Sequence, residues 1–166
     1  MIIEFLENSF SENDQKQIIN ALNDSDIKFC SKKPVIRQGA FDELFGQVVI
    51  FLTSNEVTAF ANGTALIGTI LGSIKFISNF SKKKRYTLLS RNSQSLCPMN
   101  VIIQVENVKI LQPEKPNDEY LSAALVIACS DDIPKDCEMI ISYDEKLFVE
   151  TMNQYVLRKL NKKGRE

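Results

Sequence analysis

The stretch from Asn117 to Phe148, NDEYLSAALVIACSDDIPKDCEMIISYDEKLF, decides the fold. Leu121, Ala124, Leu125 and Ala128 recur at helical spacing behind Pro116, Asn117 and Asp118, the pattern of a capped helix that faces a core. Asp118 is therefore expected at a helix N-terminus. Beyond an irregular acidic connection, Met139 to Tyr143 is a short apolar run that reads as a buried strand, with Asp144 at its carboxyl end. In open α/β sheets that end of the strands is where ligands bind.

Outward from this stretch the same alternation continues. Ile2 to Leu6 is expected as a first strand, and Ser9 or Ser11 caps a helix that turns Ile18, Ile19 and Leu22 to a core. Ile27, Phe29 and Cys30 make a short second strand. Val48 to Leu52 is a continuous apolar run between Gly46 and Thr53-Ser54-Asn55, a buried strand passing into a capped helix. Tyr86 to Leu89 reads as a further strand, as does Val108 to Leu111, which Pro113 and Pro116 end. Val101, Ile103 and Val105 alternate as in a strand, while Val101, Ile102 and Val105 equally suit one helical face. The last element is expected to be a helix from about Glu145 to Leu160, with Val149, Met152, Val156 and Leu160 facing inward. The whole predicts an α/β fold: a single domain over residues 1–160 with a largely parallel central sheet flanked by helices, then a basic C-terminal tail over 161–166.

Composition narrows the chemistry by what is missing. The 166 residues contain no histidine, so no Ser-His-Asp or Cys-His relay can operate and the usual imidazole ligands of zinc are absent. Acid-base work falls to carboxylates, Lys, Tyr or Cys. Six glycines in all, with no Walker A or dinucleotide fingerprint, leave little material for a phosphate-cradling loop. The net charge of −1 selects no partner, so local clusters must carry any electrostatic argument. Cys30, Cys97, Cys129 and Cys137 show no CxxC spacing, and the chain starts without a basic-apolar-small segment. Free thiols in a reducing, cytoplasmic setting are expected, a Cys129–Cys137 pair being the alternative.

Val57 to Ile74 is an 18-residue run without a charge, followed by Lys82-Lys83-Lys84-Arg85, which raises a membrane-spanning helix with a basic flank. Thr58, Asn62, Thr64, Thr69, Ser73 and three glycines dilute it, so the expectation is a central helix and no membrane partner. Thr64, Gly68 and Gly72 lie four apart, a spacing that lets another backbone approach closely.

VKILQPEKPNDEYLSAALVIAC and EMIISYDEKLF together resemble the C-terminal half of the PIN-domain family, small metal-dependent ribonucleases common in bacterial toxin-antitoxin pairs. That family has a short strand, an acidic residue opening a small-residue-rich helix, and a strand running into an acid-centred turn. The resemblance, which covers residues 108–148, implies a PIN-like fold, a hydrolase that cleaves RNA, and a role in a toxin-antitoxin or bacterial defence system. It makes Asp118 and Asp144 two of the site acids. The family's first acid is an aspartate at the end of the first strand, where this chain has Glu7, and Glu4 lies within that strand. A further family acid corresponds to Glu56, or to Glu43 as the weaker match. On this reading the catalytic residues are Asp118, Asp144, Glu7 and Glu56, and a Mg²⁺ or Mn²⁺ ion is held by Asp118, Asp144 and Glu7.

Such a constellation has its own physical logic. Carboxylates gathered at one sheet edge repel one another, and a hard divalent cation relieves the repulsion while activating a water for attack on a phosphodiester. Each acid also has a plainer role: an Asp at a helix start caps it, and an Asp after a strand turns the chain. RNA is a candidate partner through Lys82, Lys83, Lys84 and Arg85 and through Arg158, Lys159, Lys162, Lys163 and Arg165, whose attraction to phosphates is independent of sequence. Charge runs also serve as solvated faces. The competing class is a non-catalytic protein-interaction module, an immunity or regulatory protein with a degenerate site, favoured by Glu7 in the aspartate position and by the acidic loop Asp131 to Asp136.

Overall fold

Three β-α-β crossovers build the sheet. The computed structural model describes residues 1–5, 10–23, 29–32, 48–60, 64–89, 101–113 and 118–163. β1 (Ile2–Phe5) leads through α1 (Glu12–Leu22) into β2 (Cys30–Lys32). β3 (Val48–Leu52) leads through α2 (Ser54–Phe60) and α3 (Thr64–Leu89) into β4 (Val101–Val105). β5 (Val108–Leu111) leads through α4 (Asp118–Ala128) into β6 (Met139–Asp144), and β7 (Lys146–Thr151) and α5 (Met152–Lys163) follow.

Each crossover joins parallel neighbours, whereas β1/β3, β4/β5 and β6/β7 are antiparallel, in the order β2-β1-β3-β4-β5-β6-β7. The fold is α/β with a mixed sheet, which corrects the largely parallel one expected. Strand-helix alternation specifies each crossover but not how successive crossovers are joined. Two of the three reversals lie in tight turns: Glu106-Asn107 between β4 and β5, and Glu145 alone between Asp144 and Lys146. Glu106 and Glu145 take positive φ values of 50° and 63°, a conformation that glycine usually supplies.

The two-residue period of the strands sorts the sheet into unequal faces. Ile3, Phe5, Val48, Ile50, Leu52, Val101, Ile103, Val105, Val108, Ile110, Met139 and Ile141 form one core with Ile18 and Leu22 of α1, Val57 of α2, Leu66, Ile70, Ile74 and Ile77 of α3, and Leu121, Ala124 and Leu125 of α4. The opposite face buries a smaller cluster, Val49, Ile102, Leu111 and Ile140, under Tyr155 of α5. It also buries charge: Glu4, Lys109 and Glu150 all point to this side. With α3 and α4 on one face and β3 and β5 running oppositely, the β3–β4 and β5–β6 crossovers are of opposite hand. One is therefore left-handed, which such connections seldom are.

Local signals explain the helix starts. Ser11 and Asp14 form a reciprocal capping box at α1, and Thr53 with Glu56 makes the same exchange at α2. Other expectations need correction. Tyr86 to Leu89 continues α3 rather than forming a strand. Residues 101–105 are strand, and the alternation of Val101, Ile103 and Val105 was the informative period. The span 57–74 is divided between α2 and α3, and among the described residues no helix is long and apolar enough to cross a membrane.

The expected terminal helix from Glu145 is instead β7 followed by α5, because Thr151 and Gln154 cap a new helix at Met152. Consequently Val149 and Leu160 are largely exposed, while Met152 and Val156 do pack inward. Gly68 and Gly72 are exposed, and no other part of the described chain packs closely on them: a Cβ at either meets nothing within 4 Å. Because an exposed mid-helix glycine costs about 1 kcal/mol relative to alanine, Gly68→Ala and Gly72→Ala should each raise the denaturant midpoint of unfolding. A loss of stability in either would reveal a close contact at that face.

Candidate functional site

Asp118 and Asp144 do share one edge of the sheet. β5 and β6 are parallel neighbours whose carboxyl ends lie together, and α4 starts at this edge immediately after β5. Tyr120, one residue beyond Glu119, fastens the helix there: its hydroxyl donates to the Leu111 carbonyl at 2.5 Å and its ring meets Tyr143 edge-on at 5.7 Å. Burial pushes the Tyr120 phenol well above its ordinary pKa, which keeps it a hydrogen-bond donor. Asp118 is exposed in the first turn of α4, where a negative charge complements the helix dipole.

The pleat then separates the two acids. Along β6, Ile141 and Tyr143 face α4, whereas Ile140, Ser142 and Asp144 face α5. The Asp144 carboxylate is occupied on that side. Lys162 Nζ donates to Oδ1 at 2.9 Å and to Oδ2 at 3.1 Å, and Arg158 Nη1 approaches Oδ2 at 3.4 Å. The hydrogen bond from Lys162 holds the Asp144 carboxyl below the usual carboxylate value, partly opposed by burial and reinforced by the charges of Lys162, Lys159 and Arg158.

Arg158 is the centre of this network. Its Nε donates to both Glu150 oxygens at 3.0 and 3.2 Å, its Nη2 to Glu150 and, at 2.8 Å, to Ser142 Oγ. Its guanidinium stacks 4.0 Å from the Phe148 ring centroid, and the bond to Glu150 pushes its pKa further up. Arg158 and Lys162 are thus tied to carboxylates of their own chain, which weakens their part in the RNA surface expected of the basic residues. The Lys82–Arg85 run is helical within α3, and its side chains lie outside the described residues, as do the side chain of Lys163 and all of Arg165.

Glu56 is not brought to this edge. β3 runs opposite to β1 and β5, so its carboxyl end and α2 lie at the far edge, with the Met1 amino group 3.3 Å from Glu56 Oε1. Burial raises the Glu56 carboxyl, but the Thr53 amide and the amino terminus outweigh it, leaving the group below its ordinary value. Its role there is a cap. Glu7 and Glu43 lie outside the described residues, and Glu4 is buried on the α5 side of β1.

Asp118 and Asp144 therefore do not fit as shared ligands of one Mg²⁺ or Mn²⁺: strand alternation turns one away, and two cations already neutralise it. Among the described residues no group of three or more Cys, Asp or Glu could hold a metal ion.

A second cluster lies at the far edge. Ser54 donates to Glu106 across the β4–β5 turn, beside Cys129 at the end of α4, and with Ser130 and Lys135 they line a water-sized recess. Burial and the Glu106 charge push the Cys129 thiol up despite a bond with Ser54, so it is a poor nucleophile. Cys30, Cys129 and Cys137 are all free thiols. Sequence reading found neither cluster, although the Thr151-x-x-Gln154 capping box marks where α5 must start and hence which of its residues face β7.

Compared with protein-family models, with curated proteins and with solved structures, the chain matches none.

Removing one partner of a buried ion pair leaves the other uncompensated. Arg158→Met should therefore cost about 3 kcal/mol in urea unfolding, and the double change E150M/R158M should recover most of the loss; equal losses in single and double variants would show that the pair is not the cause. The depressed Asp144 pKa stabilises the fold above the unfolded value of about 3.9 and ceases to do so as pH falls through the lower folded value. Asp144→Asn should accordingly flatten the dependence of stability on pH below about 4, and an unchanged slope would mean that these cations do not hold the carboxylate.

Proposed function

We propose that the chain acts as a protein-interaction module, of the immunity or regulatory kind, rather than as a nuclease. The observation that carries this reading is the engagement of Asp144 by Lys162 and Arg158 on the side of the sheet away from α4. A carboxylate so neutralised has little remaining demand for a divalent cation. Exposed aliphatic side chains on α5 support the reading further: Leu157 and Leu160 lie about one turn apart on that helix.

The second reading is a PIN-like, metal-dependent ribonuclease. What favours it is the position of Asp118 and Asp144 at the carboxyl ends of adjacent parallel strands, the edge where α/β sheets bind ligands. The two readings part on metal response. Thermal unfolding of metal-stripped protein should be unmoved by Mn²⁺ once ionic strength is matched with Ca²⁺ and salt controls. A saturable rise approaching about 2.7 kcal/mol at 100 times the dissociation constant, lost in Asp118→Asn and Asp144→Asn together with RNA cleavage, would overturn the interaction reading.

A further inference from the structure

β7 is the outermost strand of the sheet, and among the described residues it pairs only with β6. Which of its backbone groups face outward follows from one hydrogen bond. The Met139 amide donates to the Asn107 carbonyl at 3.0 Å, toward β5. Met139 and Thr151 are therefore a non-hydrogen-bonded pair, and the ladder to β7 runs through Ile140–Glu150, Ser142–Phe148 and Asp144–Lys146. Leu147, Val149 and Thr151 consequently turn their N–H and C=O groups to the open edge. Gln154 Oε1 takes the Thr151 amide at 2.9 Å, which leaves two donors and two acceptors on Leu147 and Val149.

We propose that this edge pairs antiparallel with the same edge of a second copy of the chain, about a two-fold axis between the two Phe148 residues. In that register Leu147 stands opposite Val149 of the other copy, and its symmetry mate repeats the match. All four open groups on each edge are then used. Leu147 and Val149 meet as apolar pairs on the helix-rich face, while the α5 face sets Phe148 against Phe148 and Lys146 beside Glu150, which Arg158 already engages. Shifting the register by one symmetric step would place Leu147 opposite Thr151, whose amide is already taken. The strand itself is self-complementary, which is what selects a second copy over an unrelated peptide.

β7 also lacks the usual protection of an edge. It has six residues in continuous register, no proline and no bulge, whereas the opposite edge strand β2 has three residues. Lys146 is its one exposed charge facing a neighbour's path. The inference is independent of the functional reading above, since either an interaction module or a nuclease could assemble this way.

Sedimentation of the full chain over a range of concentrations should give twice the 18.8 kDa chain mass, dissociating on dilution. Hydrogen exchange should find the Leu147 and Val149 amides protected in the dimer and fast in the monomer. Val149→Pro deletes a donor that the monomer's own sheet does not use, so the dimer should weaken by about 100-fold while the fold persists. Should that variant fail to fold, Val149→Lys decides: the Val149 side chain is exposed in the monomer, and a charge there faces Leu147 of the other copy, so dimerisation should weaken about 10-fold. A chain that stays monomeric to about 100 μM, a dimer indifferent to both substitutions, or unprotected Leu147 and Val149 amides would overturn the proposal.

Discussion

Arg158 ties the end of the sheet together. One guanidinium spans Glu150 on β7, Ser142 and Asp144 on β6, and lies over the Phe148 ring, so that α5 is fixed across the last hairpin by directional bonds as well as by Tyr155, Met152 and Val156. Arginine suits this task because its planar, delocalised fork can hold a carboxylate with two parallel bonds while presenting a face to an aromatic ring. The placement of α5 against the last hairpin and the occupancy of Asp144 are bound up with that attachment, while the β6 ladder sets which groups of β7 face outward.

The sheet's two faces have different physical duties. The helix-rich face buries a continuous aliphatic core between strands and α1 to α4, where non-directional burial dominates. Among the described residues the other face is closed over β5 to β7 by a single short helix with few apolar contacts, and it carries Glu4, Lys109 and Glu150 out of water. Lys109 meets Glu138 at 2.5 Å, and Glu150 meets Arg158, so these two charges are compensated in pairs rather than hydrated. Pairs of this kind add little net stability over apolar replacements, but they fix register and orientation. That is consistent with an end of the molecule that specifies a surface rather than one that supplies the bulk of the core.

Much of the framework was legible because local physics and tertiary packing agreed. The apolar runs at Val48–Leu52 and Met139–Tyr143 form largely buried strands in which Tyr143 alone is exposed, and Leu121, Ala124 and Leu125 mark the core side of α4. The region after Asp144 misled for an equally physical reason. Val149, Met152, Val156 and Leu160 match a helical stripe, yet Lys146–Thr151 is held in the sheet by six residues of pairing with β6, and local spacing cannot weigh that long-range ladder. The glycines of α3 take no part in the packing within the described chain: they lie exposed, while Ile70, Ile74 and Ile77 of the same helix join the core.

The sequence by itself determined the α/β class, the helix start at Asp118 and the strand end at Asp144, because each is set by residues within a few positions of one another. It also excluded histidine-based chemistry outright. Only the tertiary structure decided that the sheet is mixed, that Glu56 caps a helix at the far edge, and that Asp144 faces α5 rather than Asp118. Those outcomes depend on strand direction and pleat, which are fixed by hydrogen bonding between segments far apart in the chain. A carboxylate one position along a strand from its alternative points to the other side of the sheet, and that two-fold alternation separates a shared metal site from an ion pair.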